Sequence, residues 1–235
     1  METKQQDSIF KQGGETVNNI TSFIKKDELQ GDNRKFAKLY DRIAPLYHIG
    51  LKIFCYFKLN GGEREFRNDF LRYIKIEQDN TVLETSVGTA DNFYYTNKNA
   101  KYYGVDISYG MLKKAVAHCK KWSINATFVH CEAEELPFND NVFDVVYSCG
   151  GFNFFNDKES ALAEMIRVAK SGTKIFIIDE TEKTVREVYK NIPGKELYDA
   201  SKTNAPLDLI PKDMKNVDVK IVCKGHMYIL SFEKP

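Results

Sequence analysis

Residues 81–131 read TVLETSVGTADNFYYTNKNAKYYGVDISYGMLKKAVAHCKKWSINATFVHC. Three short β-rich runs, TVLETS, KYYGVDI and ATFVHC, alternate here with turn residues and one helical stretch. In YGMLKKAVAHCKKW, Leu112, Ala115, Val116 and Cys119 recur on one helical face. Strands alternating with helices predict a parallel sheet with right-handed crossovers. The pattern continues downstream. FDVVYSC (143–149) and TKIFIID (173–179) read as strands, and KESALAEMIRVAK (158–170) reads as a helix stopped at Ser171-Gly172. The tail, VDVKIVCKGHMYILSFEKP, reads as two strands joined across Lys224-Gly225, an antiparallel hairpin at the sheet edge. The expected fold is α/β, a Rossmann-like doubly wound sheet of seven strands, mostly parallel with an antiparallel C-terminal hairpin.

Upstream the pattern is helical. Phe36, Leu39, Tyr40 and Ile43 make one stripe that Pro45 ends; a second helix runs through Ile49, Ile53 and Phe57 to Gly61-Gly62. A third spans Glu63 to Ile76 with Phe66, Phe70 and Ile74 on one face. Residues 1–33 are polar, and Val17, Ile20 and Ile24 lie at helical spacing, which predicts one amphipathic helix. The chain thus divides into a polar extension (1–33), a helical lid segment (34–78) and a ligand-binding domain (79–235).

Bulk properties narrow the function. The 235 residues suffice for one sizeable core. With 34 basic and 33 acidic side chains the net charge is +1, which argues against nucleic acid as the main partner. The five cysteines form no CxxC pair, so no metal or dithiol site is expected, and free thiols suggest a reducing compartment. METKQQDSIFKQGG has no apolar signal core, and IGLKIFCYF is too short to span a bilayer. A cytoplasmic protein is expected; nothing in the sequence gives its oligomeric state.

In such sheets ligands bind beyond the carboxyl ends of the strands, near the reversal of strand order. Four segments sit there. ETSVGTADN offers Gly88 flanked by small Ser86 and Ala90, but it is not the GxGxxG of nicotinamide-dependent oxidoreductases. Asp106, 18 residues beyond Gly88, can accept hydrogen bonds from both hydroxyls of a ribose, and Ser108 is the better-placed helix cap. In CEAEELPF, Glu132 could accept from an adenine amino group while the Ala133 backbone meets the ring. In SCGGFNFF, Gly150-Gly151 make a loop that Phe152, Asn153 and Phe154 could line.

Taken together these segments resemble the class I S-adenosylmethionine-dependent methyltransferases, and most of all the ubiquinone/menaquinone biosynthesis group. The resemblance rests on VLETSVGTADNF, on YYGVDISYGMLKKAVA and on the block from Cys131 to Glu180; FAKLYDRIAPLYH resembles the group's entry segment. It implies S-adenosyl-L-methionine as cofactor and in-line methyl transfer to a small-molecule acceptor. It also implies roles for individual residues. Glu84 ends the first strand of the ligand-binding domain and supports the methionine end; Gly88 is the central glycine of the cofactor loop. Asp106 holds the ribose, and Ile107 and Met111 flank the adenine. Glu132 and Ala133 meet the adenine edge, Ser148 lies beside the methionine moiety, and Tyr40 and Tyr47 belong to the closing lid. The family loop carries glycine where this chain has Ser86 and Ala90, and an acid where it has His48. His48 is the candidate general base, with Tyr47 and Tyr40 behind it, although a surface or core histidine is the commoner use of such a residue. The aromatic lid, including Phe54, Tyr56 and Phe57, suggests an apolar or aromatic acceptor. The short stretch 181–215 suggests an acceptor pocket that is open or rests on the N-terminal helices. The alternative is a non-catalytic or regulatory S-adenosylmethionine-fold module with a degenerate loop.

Overall fold

The computed structural model describes residues 9–11, 13–24, 29–50, 62–189 and 195–235. One mixed sheet of nine strands organises them, in the order β1-β2-β5-β4-β3-β6-β7-β9-β8. The strands are β1 (Glu15–Val17), β2 (Ile20–Ser22), β3 (Thr81–Thr85), β4 (Lys101–Asp106) and β5 (Ala126–His130). They continue as β6 (Val145–Cys149), β7 (Lys174–Glu180), β8 (Lys215–Val222) and β9 (Met227–Glu233). From β2 to β7 every neighbouring pair is parallel; β9 is antiparallel to both β7 and β8. The chain builds β3, β4 and β5 outward on one side, then returns past β3 to build β6 and β7 on the other. Strand order therefore reverses between β3 and β6, the position at which a crevice opens.

Side-chain alternation explains why both faces are covered. Val82, Tyr102 and Val145 point into one hydrophobic cluster, and their neighbours Leu83, Tyr103 and Val146 point into the other. The first cluster takes Leu112 and Ala115 of α4 (Tyr109–Trp122) and Phe70 of α2 (Gly62–Leu71); the second takes Leu162 and Met165 of α5 (Lys158–Val168). α4 starts where Ser108 Oγ accepts from the Met111 N–H, and α5 where Asp157 accepts from the Ser160 N–H. The remaining helices are α1 (Gly31–Ile43), α3 (Asp91–Tyr94) and α6 (Glu182–Glu187).

Three expectations are corrected. The sheet has nine strands rather than seven, because the N-terminal segment adds a hairpin in place of the expected helix over residues 17–24. Asn18 and Asn19 both take positive φ, 53° and 63°, the geometry of a tight two-residue hairpin turn, and asparagine tolerates it better than most side chains. Buried Ile20 then pairs with Phe128, and Ser22 Oγ meets His130 Nδ1 at 2.9 Å, while His130 Nε2 meets the Ile107 carbonyl at 3.1 Å. Local turn chemistry and strand pairing outweigh a three-residue helical stripe. Finally, α5 ends at Val168, so Gly172, with φ 77°, serves the turn into β7 rather than the helix stop. The expected helix through Ile53 and Phe57, and the lid aromatics Phe54, Tyr56 and Phe57, lie outside the described residues. Among the described residues no helix is long and apolar enough to cross a membrane.

Candidate active site

A cavity of about 620 Å³ opens at the carboxyl ends of β3, β4, β6 and β7, where the strand order reverses. Its floor is the turn after β3. Ser86, Gly88 and Ala90 all have positive φ, at 56°, 54° and 60°. The two replacements of glycine therefore sit in the left-handed region, which costs a side-chain-bearing residue about 1–2 kcal/mol. The neighbouring loop accommodates one of them. A Cβ built on Gly151 would lie 2.6 Å from the Ser86 Cβ, so glycine at 151 makes the room that serine at 86 takes. Ser86 Oγ in turn pairs with Ser148 Oγ at 3.1 Å. Gly151→Ala is thus expected to destabilise the protein by about 1–3 kcal/mol through overpacking. Adding Ser86→Gly should restore most of the loss in thermal melts, and a double variant no better than the single one would refute the pairing.

Asp106 ends β4 and holds the floor together. Its Oδ2 accepts from the Gly88 N–H at 2.7 Å and its Oδ1 from the Ser108 N–H at 2.8 Å. Burial raises its carboxyl to about 6, against the lowering effect of those two amide donors. Helix α1 clamps the same corner. Asp41 Oδ1 accepts from Ser108 Oγ and from the Gly110 N–H, each at 2.7 Å, and a Cβ on Gly110 would meet the Asp41 Cα at 3.2 Å.

Beneath the turn lies a buried polar network. Glu84 accepts from Tyr147 Oη at 2.8 Å and from Asn92 Nδ2. Burial pushes its carboxyl up to about 8 in spite of both donors. Arg67 of α2, itself buried, donates from Nε to Glu63 at 2.9 Å and from Nη1 to Asn92 Oδ1, and its Nη2 lies 3.5 Å from Asp91 Oδ2. Burial alone would raise the Asp91 carboxyl, but His118, Arg67 and Thr89 together hold it below its usual value. His48, Glu63 and Asp91 bring one ligand-type atom each within 4.8 Å of one another. The Arg67 guanidinium already supplies the cation between the two carboxylates.

The expected site residues separate into two groups. Tyr40, Tyr47, Glu84, Ser86, Gly88, Asp106, Ile107, Met111 and Ala133 line the cavity together. Ala90, Glu132, Ser148 and His48 are not among its lining residues. Ala90 is fully buried and carries the turn into α3; Ser148 backs Ser86. Glu132 accepts from Asn33 Nδ2 at 2.8 Å, and Glu134, which does line the cavity, accepts from the same nitrogen at 2.9 Å. His48 Nδ1 faces Asp91 Oδ2 at 3.8 Å, with its ring against His118. Burial raises the Tyr47 hydroxyl well above its ordinary value, so Tyr47 is a hydrogen-bond donor at neutral pH rather than a base.

Sequence reasoning missed Arg67, Glu180, Tyr189 and Tyr198. The stretch after β7 does contribute to the cavity, contrary to expectation: Thr184, Val188, Tyr189 and Tyr198 line it beside Phe36, Tyr40 and Phe154. The signal available was the acid ending β7 and the aromatic spacing after it, in a segment without strand or helix periodicity.

Residues 83–177 match a family described as a methyltransferase domain. The demethylmenaquinone methyltransferase of Listeria welshimeri is 30% identical over 172 residues, 71% of this chain and 68% of that protein. That of Thermobifida fusca is 30% identical over 65% of this chain and 64% of its own. This chain is a class I S-adenosylmethionine-dependent methyltransferase of the menaquinone/ubiquinone methyltransferase group. Solved structures agree on the fold. An S-adenosylmethionine-dependent methyltransferase from Aquifex aeolicus superposes with a TM-score of 0.56 at 20% identity, covering 86% of this chain and 98% of that one. One from Thermotoga maritima, described as a possible histamine N-methyltransferase, superposes with 0.63 at 17% identity, covering 84% and 99%. The methyltransferase's cavity fits its cofactor: a half-buried carboxylate stands at the end of β4, and Gly88, at positive φ and without a Cβ, leaves bare backbone opposite Met111.

Proposed function

We propose that this methyltransferase acts on a small aromatic acceptor of quinol type, with the cofactor and the acceptor sharing the one cavity. The observation that carries the reading is the lining of that cavity. Loop and carboxylate groups suited to a nucleoside occupy one end, and tyrosines and phenylalanines occupy the other. The relatives named demethylmenaquinone methyltransferase support an aromatic ring as the acceptor.

Asp106 would hold the ribose, Ile107, Met111, Ala133 and Glu134 the adenine, and the Ser86–Gly88 turn above Glu84 the amino-acid end. The bound cofactor supplies a methyl group on a positively charged sulfur. The chain's own contribution is alignment and dryness. Its backbone turn fixes one reactant, the aromatic walls fix the other, and α1, clamped by Asp41, keeps water from the space between them. Tyr47 and Tyr40 act as donors that orient the acceptor. His48, its Nδ1 3.8 Å from Asp91 Oδ2 and its ring against His118, packs the segment after α1.

The test is calorimetric titration with S-adenosylmethionine followed by incubation with 1,4-dihydroxynaphthalene under reducing conditions. A bound cofactor and a product heavier by one CH2 unit are expected by mass spectrometry. Cofactor binding with no methylated ring compound would remove the acceptor class and leave the family assignment standing.

A further inference from the structure

The far end of the cavity holds a carboxylate that the cofactor floor does not use. Glu180 is the last residue of β7. In the sheet order, β7 lies two strands beyond β3, which carries the cofactor turn, and three beyond β4, which carries Asp106. At a strand spacing of 4.7–4.9 Å this sets Glu180 roughly 10 Å from the turn and roughly 15 Å from the ribose carboxylate. That separation puts it beside an acceptor rather than beside a nucleoside.

Its surroundings are aromatic and specific. Tyr189 Oη donates to Glu180 Oε1 at 2.5 Å. The Tyr189 ring packs on Tyr198 with centroids 4.5 Å apart, and Tyr198 Oη pairs with Tyr40 Oη at 3.3 Å. Phe154 stands edge-on to Tyr198 at 5.1 Å. Burial raises the hydroxyls of Tyr40 and Tyr189 well above their ordinary value, so both remain protonated donors. Glu180 Oε2 is buried and receives no N–H or phenol O–H among the described residues; its one polar neighbour is the fully buried Asp179 carboxyl, which burial and the charge of Glu180 hold well above its ordinary value. A buried acceptor atom without a donor is unfavourable, and a donor arriving with a ligand recovers that loss. Asn153 locks the strand end in place: its Nδ2 donates to the Glu180 carbonyl at 2.8 Å and its Oδ1 accepts from Tyr228.

We propose that Glu180 is the residue that recognises the acceptor's head group, its Oε2 accepting a hydrogen bond from a hydroxyl on an aromatic ring housed by Tyr40, Tyr189, Tyr198 and Phe154. This rests on the reading of the cavity as shared by cofactor and aromatic acceptor. A hydroxyl fits better than an ammonium group for two reasons. The other oxygen of the same carboxylate is already satisfied by a neutral phenol. A cationic acceptor would also be repelled by the positive sulfur that it must approach. A carboxylate also rejects an ether or a quinone carbonyl at this point, because neither can donate. The methyltransferase therefore selects the reduced, hydroxyl-bearing form of a ring over its oxidised or alkylated forms.

The experiment measures binding of 1-naphthol and of 1-methoxynaphthalene to the full chain saturated with S-adenosylhomocysteine. The wild type is expected to prefer the naphthol by at least tenfold. Glu180→Gln should bring that preference to within about threefold, with affinity for S-adenosylhomocysteine unchanged. Tyr189→Phe should keep the preference, since it leaves the carboxylate in place. Equal binding of the two probes by the wild type, no binding of naphthol, or an undiminished preference in Glu180→Gln would each overturn the proposal. Tighter binding of 1-naphthylmethylamine than of naphthol would overturn it in favour of an amine. Failure of S-adenosylhomocysteine itself to bind the wild type would instead strike the cofactor placement, so the two failures are distinct.

Discussion

Asp106→Ala is expected to weaken S-adenosylmethionine binding by about 100-fold. Hydrogen bonds to a charged group contribute about 1.5–3 kcal/mol each, so the loss of a single ribose hydroxyl contact, in the placement proposed above, accounts for about 100-fold near the upper end of that range. The same side chain also takes the Gly88 and Ser108 amides, so its loss loosens the turn after β3. Asp106→Asn keeps one acceptor and should fall between wild type and alanine. Acidity gives a second reading. Burial places the Asp106 carboxyl at about 6, above its value in an unfolded chain. Cofactor hydroxyls prefer the carboxylate form, so affinity is full above pH 6 and falls by up to about tenfold per unit below it. Stability of the free protein moves the other way. Ionising a buried carboxyl is unfavourable, so the stability withheld at neutral pH returns as pH falls through 6 toward the unfolded carboxyl's value of about 3.9. Calorimetry between pH 5 and 7.5 with wild type and Asp106→Ala checks both. Wild-type affinity that does not change with pH, or equal affinities in the two proteins, would remove Asp106 from the cofactor site.

The alternation of strands and helices from residue 81 onward was legible because each strand is buried on both faces and each crossover helix carries its own periodic stripe. Leu112, Ala115 and Cys119 are buried as the spacing requires. The position of Asp106, at a strand end facing the cavity, was legible for a related reason. An acid at the end of the strand that follows a small-residue turn has few structural uses, and its position along the chain fixes its position in the sheet. The N-terminal hairpin was not legible, because its decisive feature is a pair of asparagines in left-handed backbone within six paired residues. Such a hairpin is stable only because β5 supplies an edge from more than 100 residues away. The aromatic end of the cavity escaped for the same physical reason. Tyr40, Glu180, Tyr189 and Tyr198 come from three separate segments, and no local spacing reports that they meet. Glycine at 151 is the subtler case. As a sequence feature it suggested a flexible loop, yet its steric role is to receive the Ser86 side chain, which only the packed loops reveal.

Arg67→Met should lower the melting temperature at pH 7 by about 6–20 °C. Removing one partner from a buried ion pair costs about 3–5 kcal/mol, and for a domain of this size each kcal/mol corresponds to about 2–4 °C. Methionine keeps much of the side-chain volume, so the loss is electrostatic rather than a cavity. What remains is Asp91 and Glu63 facing each other without the guanidinium, and Asn92 without the donor that holds it toward Glu84. In the wild type Asp91 is held below its ordinary value, so it adds stability above the unfolded carboxyl's pKa, and that stability is lost as pH falls through the folded value. In the variant the lowering by Arg67 is gone while His118 and Thr89 still favour the carboxylate, so Asp91 takes up its proton at a higher pH than in the wild type and the deficit shrinks as pH is lowered toward that titration. Melts at three pH values should therefore converge toward the acid side. Asp91→Asn added to Arg67→Met should recover part of the loss by removing the stranded charge. A deficit that is constant with pH would show that Arg67 acts through packing against Tyr95, whose ring centroid lies 5.8 Å from its guanidinium carbon, rather than through charge. The same network ties α2 to the turn after β3. Arg67 on α2 is the link between that helix and the first residues of α3, and α3 begins where the turn ends.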